Sequence, residues 1–441
     1  MRMSVIGCGY LGAVHAAAMA SIGHDVVGID VDATKIASLS VGDAPFFEPG
    51  LQEILTEGIR SGRLRFTTDM AAAHGAAVHF IGVGTPQLKG GDAADLTYVD
   101  AAVAALLPHL SPGDLVAGKS TVPVGTATRL APSVAERGAT LVWNPEFLRE
   151  GWAVQDTIDP DRLVAGVPSA DGEPTEEGAR AAAILREVYH TAVAKDTPFL
   201  VTDYATAELV KVAANAFLAT KISFINAMAE IAEVTGADVT QLADAIGHDA
   251  RIGRRFLGAG IGFGGGCLPK DIRAFSARAE ELGRGESVGF LREVDAINLR
   301  RRSRAVELVV DALGGTVHGK KITVLGASFK PHSDDIRDSP ALDVAVRLHG
   351  LGGDVVVTDP AALANARRAH PQLTYVDERD EALGDADAVI VVTEWDQWRR
   401  ELDPAHAATL VRGRVVIDGR NCLDAAAWRA AGWQYFGMGR P

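Results

Sequence analysis

The sequence predicts an α/β protein in which two doubly wound α/β domains are joined by a helical domain with one long central helix. Short β-rich runs alternate with alanine-rich helical stretches at both ends of the chain, and about 30 residues between them contain neither proline nor glycine. Such alternation is typical of a parallel sheet covered by helices on both faces. We therefore expect domains at residues 1–200, 201–315 and 316–441.

The first α/β region contains the clearest alternation. The expected strands are Met3–Ile6, Asp25–Ile29, Ala77–Gly82 and Leu115–Lys119. The expected helices between them are Ala13–Ile22, Thr34–Ser40, Tyr98–Leu107 and Val124–Arg137. A polar surface connection, Ser169–Glu177, precedes a further helix and a strand near Pro198–Val201.

The central region is helical. A helix over Ala205–Thr235 would extend about 45 Å at 1.5 Å per residue, a length typical of a domain crossing or a subunit interface. More helix is expected over Val288–Leu313. The second α/β region then has expected strands at Lys321–Leu325, Asp354–Thr358, Ala388–Val392 and Arg414–Ile417. A distant duplication of the first region is conceivable, although no fixed-period repeat is visible.

Length and composition limit the functional classes. The 441 residues are too many for one ordinary core. A net charge of −14 argues against nucleic acid as a partner, although local basic pockets for phosphates remain compatible with it. The three cysteines, Cys8, Cys267 and Cys422, are too scattered for a disulfide framework or a zinc site, and suit a reducing cytoplasm.

No membrane association is expected. No apolar run approaches the roughly 18 residues that a membrane span needs. The first residues resemble a signal peptide superficially, but Gly7, Gly9, Gly12 and His15 interrupt the apolar core that such a peptide requires. We therefore expect a cytoplasmic protein.

The N-terminal glycines predict a dinucleotide site and make the first region Rossmann-like. The turn Gly7–Gly12, which includes Tyr10 and Leu11, has the pattern G-x-G-x-x-G between the first strand and the first helix. Its glycines allow a tight turn and close approach to a pyrophosphate. Asp30 closes the second strand, where an acid would hold the adenosine ribose and repel a 2′-phosphate. NAD is therefore favoured over NADP.

A second glycine-rich segment, Gly262–Asp271, predicts an activated nucleophile. Pro269 suits the first turn of a helix. Cys267 would then lie beside the helix N-terminus, where the helix dipole and Lys270 favour the thiolate. Asp271 follows as a candidate base. A buried structural cysteine is the alternative.

Two further sites have weaker signals. Lys211 and Asn215 are four residues apart, so they share one face of the long helix and could converge on one oxygen; a lysine on a solvated face is the alternative. The second α/β region is Rossmann-like in rhythm but lacks the dinucleotide pattern. Its Lys330 and Arg337 suggest a second phosphate-bearing ligand; a solvated turn is the alternative.

With these motifs in place, the chain closely resembles the UDP-glucose 6-dehydrogenase family, within the wider UDP-glucose/GDP-mannose dehydrogenases. The matching motifs span nearly the whole chain: Gly7–Gly12, Gly82–Pro86, Ser120–Pro123, Asn144–Gly151, Lys211–Asn226, Gly262–Asp271 and Ser328–Pro340. The preference for UDP-glucose depends mainly on 144–151 and 215–226. Gly258 and Ala259 depart from the family, which often has larger or polar residues there.

The resemblance implies oxidation of a sugar C6 alcohol to a carboxylate with two NAD and one water. Cys267 would capture the intermediate aldehyde as a thiohemiacetal, and a thioester would follow. The implied catalytic residues are Cys267, Lys211, Asn215, Asp271, Glu146 and Thr121. The implied cofactor-binding residues are Gly7, Gly9, Tyr10, Leu11, Gly12, Asp30, Lys35, Thr85, Thr121, Glu150, Lys270 and Arg337.

The resemblance also implies a nucleotide-sugar site and a homodimer or larger assembly. The implied substrate-binding residues are Glu146, Phe147, Leu148, Arg149, Glu150, Lys211, Asn215, Arg251, Phe256, Leu257, Gly258, Ala259, Gly260, Gly264, Lys330 and Arg420. Arg251 would reach a neighbouring subunit's site. The glycines around Cys267 would make room for the sugar C6. Phe256 fits a core position equally well.

Three alternatives remain open. The substrate could be GDP-mannose or UDP-N-acetylmannosamine. A two-electron dehydrogenase of 3-hydroxyacid type would share the layout but would not need Cys267. An NAD-binding assembly protein would keep the Gly7–Gly12 turn but not Cys267, Lys211, Asn215 and Asp271 together. The sequence indicates neither feedback regulation nor the polysaccharide pathway that would use the product.

Overall fold

The computed structural model describes all residues, Met1–Pro441, and divides into two compact units. The first unit comprises residues 1–214 and 277–285, and the second comprises residues 215–276 and 286–441. The division passes through two helices, Tyr204–Thr235 and Leu268–Glu281.

The first unit contains ten strands and eight complete helices. The strands are β1 Arg2–Ile6, β2 Asp25–Ile29, β3 Leu64–Thr67, β4 Val78–Ile81, β5 Leu115–Gly118, β6 Thr140–Trp143, β7 Leu163–Gly166, β8 Ser169–Ala170, β9 Glu173–Pro174 and β10 Phe199–Thr202. The helices are α1 Tyr10–Ser21, α2 Ala33–Ser40, α3 Leu51–Arg60, α4 Thr97–Leu106, α5 Thr126–Ala135, α6 Ala153–Ile158, α7 Glu176–Val188 and α8 His190–Val193.

Eight of these strands form one sheet in the order β10-β7-β6-β5-β4-β1-β2-β3. All neighbours are parallel except β6 and β7, which meet at the single antiparallel pair Trp143 and Gly166. Strand β4 is buried along its whole length, as expected for a sheet covered on both faces. The predicted β-α rhythm is confirmed, although α3, β3, β6 and β7 had not been predicted.

The second unit contains the rest of the chain. Its helices are α9 Tyr204–Thr235 and α11 Leu268–Glu281, both shared with the first unit, and α10 Val239–Gly247, α12 Phe290–Ala312, α13 Pro340–Gly350, α14 Leu363–Ala369, α15 Arg379–Leu383, α16 Asp396–Arg399, α17 Pro404–Leu410 and α18 Ala425–Ala430. Its strands are β11 Lys321–Leu325, β12 Asp354–Thr358, β13 Thr374–Tyr375, β14 Ala388–Val391, β15 Val415–Asp418 and β16 Gln434–Gly437.

These six strands form a wholly parallel sheet in the order β13-β12-β11-β14-β15-β16. Counted from the first strand of each sheet, the order 3-2-1-4-5-6 is the same as that of β1 to β6, and it is the Rossmann order. The prediction of two doubly wound regions with a helical connection is therefore confirmed.

Two local expectations need correction. The connection at 169–177 is not merely a polar loop, because β8 and β9 pair within it as an antiparallel hairpin. The expectation that no segment is long and apolar enough to span a membrane also needs correction. By length and composition alone, α9 could cross one. Of its most apolar stretch, 44% is buried within the protein, and Ala216, Ala219, Ile225 and Ala229 lie in packed cores.

Candidate active site

The segment Gly7–Gly12 joins β1 to α1, as predicted, although α1 already begins at Tyr10. A different contact explains each of its three glycines. Gly7 has a φ of 89°, and its amide donates to the carbonyl of Ile29 at 2.8 Å. A Cβ on Gly12 would lie 1.8 Å from the carbonyl oxygen of Gly7. Gly9 precedes α1 and has nothing within 4 Å of its Cβ direction. The helix N-terminus is therefore open to close approach by a pyrophosphate.

Asp30 follows β2 and is held in place by three donors. Its Oδ2 accepts from the Cys8 amide at 2.7 Å and from Lys35 Nζ at 3.0 Å, and its Oδ1 accepts from the Asp32 amide at 3.0 Å. The side chain is 10% exposed. Since a carboxylate has about four acceptor sites, one remains for a ribose hydroxyl. The turn and Asp30 together fit a dinucleotide.

Glu48, which the sequence reasoning missed, connects the turn to the segment after β6. The Tyr10 hydroxyl donates to Glu48, which in turn accepts from the amides of Gly151 and Ala153 at 2.6 and 2.7 Å. Burial and the Glu48 carboxylate raise the pKa of Tyr10. Tyr10 is thus a donor to Glu48, and Glu150 lies buried beside this contact.

The loops after β4 and β5 are linked by hydroxyl groups. Thr85 Oγ1 donates to the carbonyl of Thr121 at 2.8 Å, and Ser120 Oγ donates to the carbonyl of Val83 at 2.6 Å. Both loops leave the carboxyl edge of the sheet, where ligands of such folds bind. Thr85 and Thr121 therefore lie together at the edge that the dinucleotide turn occupies.

A second buried acid, Glu208 on α9, was also missed. Its two oxygens accept from the amides of Gly125 and Ala127, each at 2.7 Å. Burial raises the pKa of Glu208. The acid ties the loop that carries Thr121 to the helix that carries Lys211.

Glu146 lies after β6 and pairs with Lys119, which follows β5. Lys119 Nζ is 3.0 Å from Glu146 Oε2, and it donates to Asn144 Oδ1 and to the Tyr189 hydroxyl at 3.0 Å each. Burial disfavours the ammonium, but Glu146 and Tyr189 outweigh burial and raise the pKa of Lys119 to about 12. Lys119 is therefore a permanent cation under physiological conditions.

The rest of the 146–150 segment is fixed by other contacts. The Phe147 ring has the Arg162 guanidinium 4.0 Å from its centroid and Lys211 Nζ at 5.4 Å. Arg149 forms a fork with Asp156 at 2.6 and 2.9 Å, and Leu148 packs partly buried against the core. The guanidinium of Arg149, one of the predicted substrate ligands, is thus already bonded to Asp156.

In the second unit, Cys267 is exposed and immediately precedes α11, as predicted. The Cys267 carbonyl accepts from the Asp271 amide at 3.0 Å, so the thiol stands at the helix N-terminus. The buried Asp271 carboxylate accepts from Asn215 Nδ2 at 2.6 Å and pairs with Lys270. Asn215 on α9 therefore forms one hydrogen-bonded group with Asp271 and Lys270 on the first turn of α11.

The glycines before Cys267 lie against protein atoms that leave no space for a side chain. A Cβ on Gly264 would lie 2.2 Å from the Asp338 carbonyl oxygen, one on Gly265 would lie 2.7 Å from the Phe329 ring, and one on Gly266 would lie 2.3 Å from the Arg337 guanidinium. These glycines are required by the β11–α13 loop of the same unit. These contacts account for the glycines without a ligand, and the interpretation that they make room for a sugar C6 stays a prediction.

Two further side chains, Asn298 and Arg420, bond the backbone of the segment that precedes Cys267. Asn298 on α12 accepts from the Phe263 amide at 2.7 Å and donates to the Phe263 carbonyl at 2.9 Å. Arg420 donates to the carbonyls of Gly262, Val392 and Phe329 at 2.7, 2.8 and 3.2 Å. Arg420, predicted as a substrate ligand, thus braces the cysteine segment.

Residues 256–260 divide into two kinds. Phe256 has a φ of 65° and an exposed ring, which excludes a core position. Leu257 and Ala259 are buried in the core below α9, so only their backbone is available. Gly258 has open space around it, and the Gly260 amide donates to Asn226 Oδ1 at 2.9 Å.

The remaining predicted cations lie on loops. Arg251 is exposed and pairs with Asp249 at 2.6 Å. Arg337 pairs with Asp335 at 2.6 Å, and Lys330 lies 5.4 Å from the centroid of Phe329. Of the predicted catalytic residues, Thr121, Glu146 and Lys211 belong to the first unit, and Asn215, Cys267 and Asp271 belong to the second.

Comparison with known proteins agrees with this geometry. Models of the UDP-glucose/GDP-mannose dehydrogenase family match in three parts: the NAD binding domain at residues 1–193, the central domain at 205–300 and the UDP binding domain at 323–425. UDP-glucose 6-dehydrogenase of Rhizobium meliloti (strain 1021) is 40% identical over 446 residues, covering 100% of both chains.

Solved structures show the same fold. A UDP-glucose dehydrogenase from Pyrobaculum islandicum has a TM-score of 0.89 and 39% identity, covering 100% of this chain and 98% of that one. A UDP-D-ManNAc dehydrogenase from Pyrococcus horikoshii has a TM-score of 0.85 and 27% identity, covering 100% and 99%. The chain therefore belongs to the UDP-glucose/GDP-mannose dehydrogenase family and is an NAD-dependent oxidoreductase.

Proposed function

We propose that this enzyme oxidises the C6 alcohol of UDP-glucose to the carboxylate of UDP-glucuronate, using two NAD and one water. The observation that carries the proposal is Cys267, an exposed thiol at a helix N-terminus above the group of Asn215, Asp271 and Lys270. A two-electron alcohol dehydrogenase needs no covalent nucleophile. An enzyme that must retain an aldehyde between two oxidations does.

The turn Gly7–Gly12, Asp30 and Lys35 would hold NAD, with Thr85, Thr121, Glu150, Lys270 and Arg337 as further contacts. NAD, when bound, accepts a hydride in each of the two oxidations. Cys267 would add to the C6 aldehyde as a thiohemiacetal, which the second oxidation converts to a thioester. Lys211 and Asn215 would stabilise the C6 oxygen, and Asp271 and Thr121 would organise water and proton transfer.

Glu146 would assist hydrolysis of the thioester, which regenerates the thiol and releases the acid. Residues 146–150 and 256–260, together with Arg251, Gly264, Lys330 and Arg420, would form the nucleotide-sugar site. Lys330, on the β11–α13 loop, would supply a cation to a phosphate. Arg420 would contribute through the carbonyls it braces, and Leu257 and Ala259 would contribute through their backbone.

UDP-glucose is proposed over other nucleotide sugars because the relatives named for it are 39–40% identical, against 27% for the UDP-D-ManNAc enzyme. The test is kcat/KM for UDP-glucose, UDP-N-acetylmannosamine and GDP-mannose under one set of conditions. UDP-glucose should exceed the others by at least about 100-fold, since sites that bond substrate hydroxyls discriminate strongly. A preference for either alternative sugar would contradict the substrate assignment.

We also propose a cytoplasmic homodimer, or a larger assembly built from it, formed through α9. Phe217, Phe224 and Ile231 are exposed at seven-residue spacing on this helix, and Val234 extends the same apolar surface. Exposed apolar stripes of this kind mark interfaces. Light scattering should give at least twice the chain mass, and Phe224→Glu should lower it. We further propose three domains: an N-terminal NAD-binding domain at 1–200, a central helical domain at 201–315 and a C-terminal UDP-sugar-binding domain at 316–441.

A further inference from the structure

One buried ion pair of the first unit joins Glu146 to Lys119, and Lys119 has no part in the roles given above. Lys119 is 3% exposed, and its ammonium contacts Glu146 Oε2, Asn144 Oδ1 and the Tyr189 hydroxyl, each at 3.0 Å. An ammonium has three hydrogens, so all of its donors are used. Lys119 is therefore a fixed cation with one charged partner among these three, Glu146.

Glu146 is held from both of its oxygens. Oε1 accepts from the amides of Phe147 and Leu148 at 2.8 and 3.0 Å, while Oε2 faces Lys119. The carboxylate can rotate only if it breaks one of these contacts. The orientation of its remaining acceptor sites is thus set by the backbone on one side and by Lys119 on the other.

The pair is asymmetric in burial. Lys119 is almost fully enclosed, whereas the Glu146 side chain is 13% exposed. Buried ion pairs contribute little stability compared with apolar residues of similar size, because desolvation offsets their attraction. In this pair the cation is buried and the carboxylate reaches the surface. Such an arrangement allows the buried Lys119 to orient Glu146 toward a reactant.

We propose that Lys119 is a positioning residue that holds the Glu146 carboxylate in the orientation needed to take the proton of the attacking water when the Cys267 thioester is hydrolysed. This inference rests on the function proposed above. In that step, water adds to the thioester carbonyl carbon and gives one proton to Glu146. The C–S bond breaks, Cys267 leaves as the thiolate, and the sugar acid is released.

The test follows the covalent intermediate directly. Enzyme is mixed with UDP-glucose and NAD and quenched in acid, and the intact chain is weighed by mass spectrometry. Glu146→Gln and Lys119→Met should both accumulate an acyl adduct on Cys267, with steady turnover reduced by about 100-fold, the usual scale for loss of a general base. Lys119→Arg should restore most of the turnover. Tyr189→Phe, the matched control, should not accumulate the adduct.

A double variant addresses the case in which Lys119→Met fails to fold because Glu146 is left unpaired. Lys119→Met/Glu146→Gln replaces both charges, and it should turn over within about twofold of Glu146→Gln alone, since residues that act through one another are not additive. A further large loss in the double variant would overturn the inference. An adduct in Glu146→Gln but not in a folded Lys119→Met would also overturn it. No adduct in Glu146→Gln would instead contradict the proposed role of Glu146.

Discussion

The turn after β1 and the turn after β11 begin in the same way and serve different ends. Gly7 and Gly326 both have positive φ, and each donates its amide to the last residue of the second strand at 2.8 Å. The next residue in each turn donates its amide to an aspartate that follows that strand, Asp30 or Asp359, at 2.7 Å. Up to this point the two sheets are alike in topology and in hydrogen bonding.

The two aspartates differ in what surrounds them. Asp359 is 4% exposed, and it accepts from the amides of Ser328, Ala361 and Ala362 and from Trp395 Nε1, at 2.8 to 3.1 Å, in addition to Ala327. Its acceptor sites are filled by the protein. Asp30 keeps an acceptor site near the surface, so the exposure of the acid, more than its position, distinguishes the proposed ribose ligand from a structural brace.

The chain after each turn differs as well. In the first unit α1 begins at Tyr10, three residues after Gly7, so the helix N-terminus lies at Gly9. In the second unit α13 begins only at Pro340, and the intervening loop packs Phe329 and Arg337 against the glycines that precede Cys267. One Rossmann-type sheet thus belongs to the part of the chain that matches an NAD binding domain, while the other supports the segment that carries Cys267, the proposed nucleophile.

The strongest way to break the first turn is Gly12→Val. Its side chain would meet the Gly7 carbonyl, which cannot move without opening the strand–helix packing. We expect a loss of more than about 3 kcal/mol of stability, together with loss of NAD binding. Thermal unfolding and NAD titration measure the two effects. A variant that keeps both would contradict the assigned role of Gly12.

Asp359→Asn tests the brace. Both carboxylate oxygens of Asp359 accept from backbone amides. In the Asn variant one of these oxygens becomes an NH₂ group, which cannot accept, and each unsatisfied donor costs about 1–3 kcal/mol. We expect unfolding to be easier by about 2–3 kcal/mol, with the ratio of kcat/KM for NAD and NADP unchanged. A changed coenzyme ratio would show that Asp359 is more than structural.

Gly9→Val separates ligand contact from folding. Because no protein atom lies within 4 Å of the added Cβ, the melting temperature should stay near that of the unmodified enzyme. The side chain would occupy the space assigned to the pyrophosphate, so the Kd for NAD should rise at least tenfold, about 1.4 kcal/mol. Equal losses of stability and affinity would argue against an open site at Gly9.

Asp30→Asn should have the smallest effect. The Asn oxygen can still accept hydrogen bonds, but the uncharged side chain no longer repels a 2′-phosphate, so the preference for NAD over NADP should fall by about tenfold. Kinetics with both coenzymes measure the ratio. An unchanged ratio would assign coenzyme choice elsewhere in the first unit.

Local features of the fold and site were predictable from the sequence, and long-range ones were not. The Gly7–Gly12 turn, Asp30 and the helix start after Cys267 each depend on neighbouring residues, and each was confirmed in position. Glu48, Lys119 and Glu208 each have at least one partner far away in the sequence, at separations of 105, 70 and 83 residues. The sequence does not show which distant residues these three side chains contact.

The cysteine segment illustrates the same limit. Its glycines were correctly recognised as unusual, but their reason depends on Phe329, Arg337 and Asp338, which come from a loop more than sixty residues later. A glycine is required wherever backbone meets any close neighbour, whether a ligand or the protein itself. Only the three-dimensional contacts distinguish the two cases.

The most direct test of Cys267 as a covalent nucleophile in a four-electron oxidation is the number of NADH formed per sugar. A limiting amount of UDP-glucose is consumed completely with excess NAD, and NADH is measured by absorbance alongside UDP-glucuronate by chromatography. We predict two NADH and one UDP-glucuronate for each UDP-glucose. One NADH per sugar, with an aldehyde or ketone as the product, would contradict the proposed chemistry.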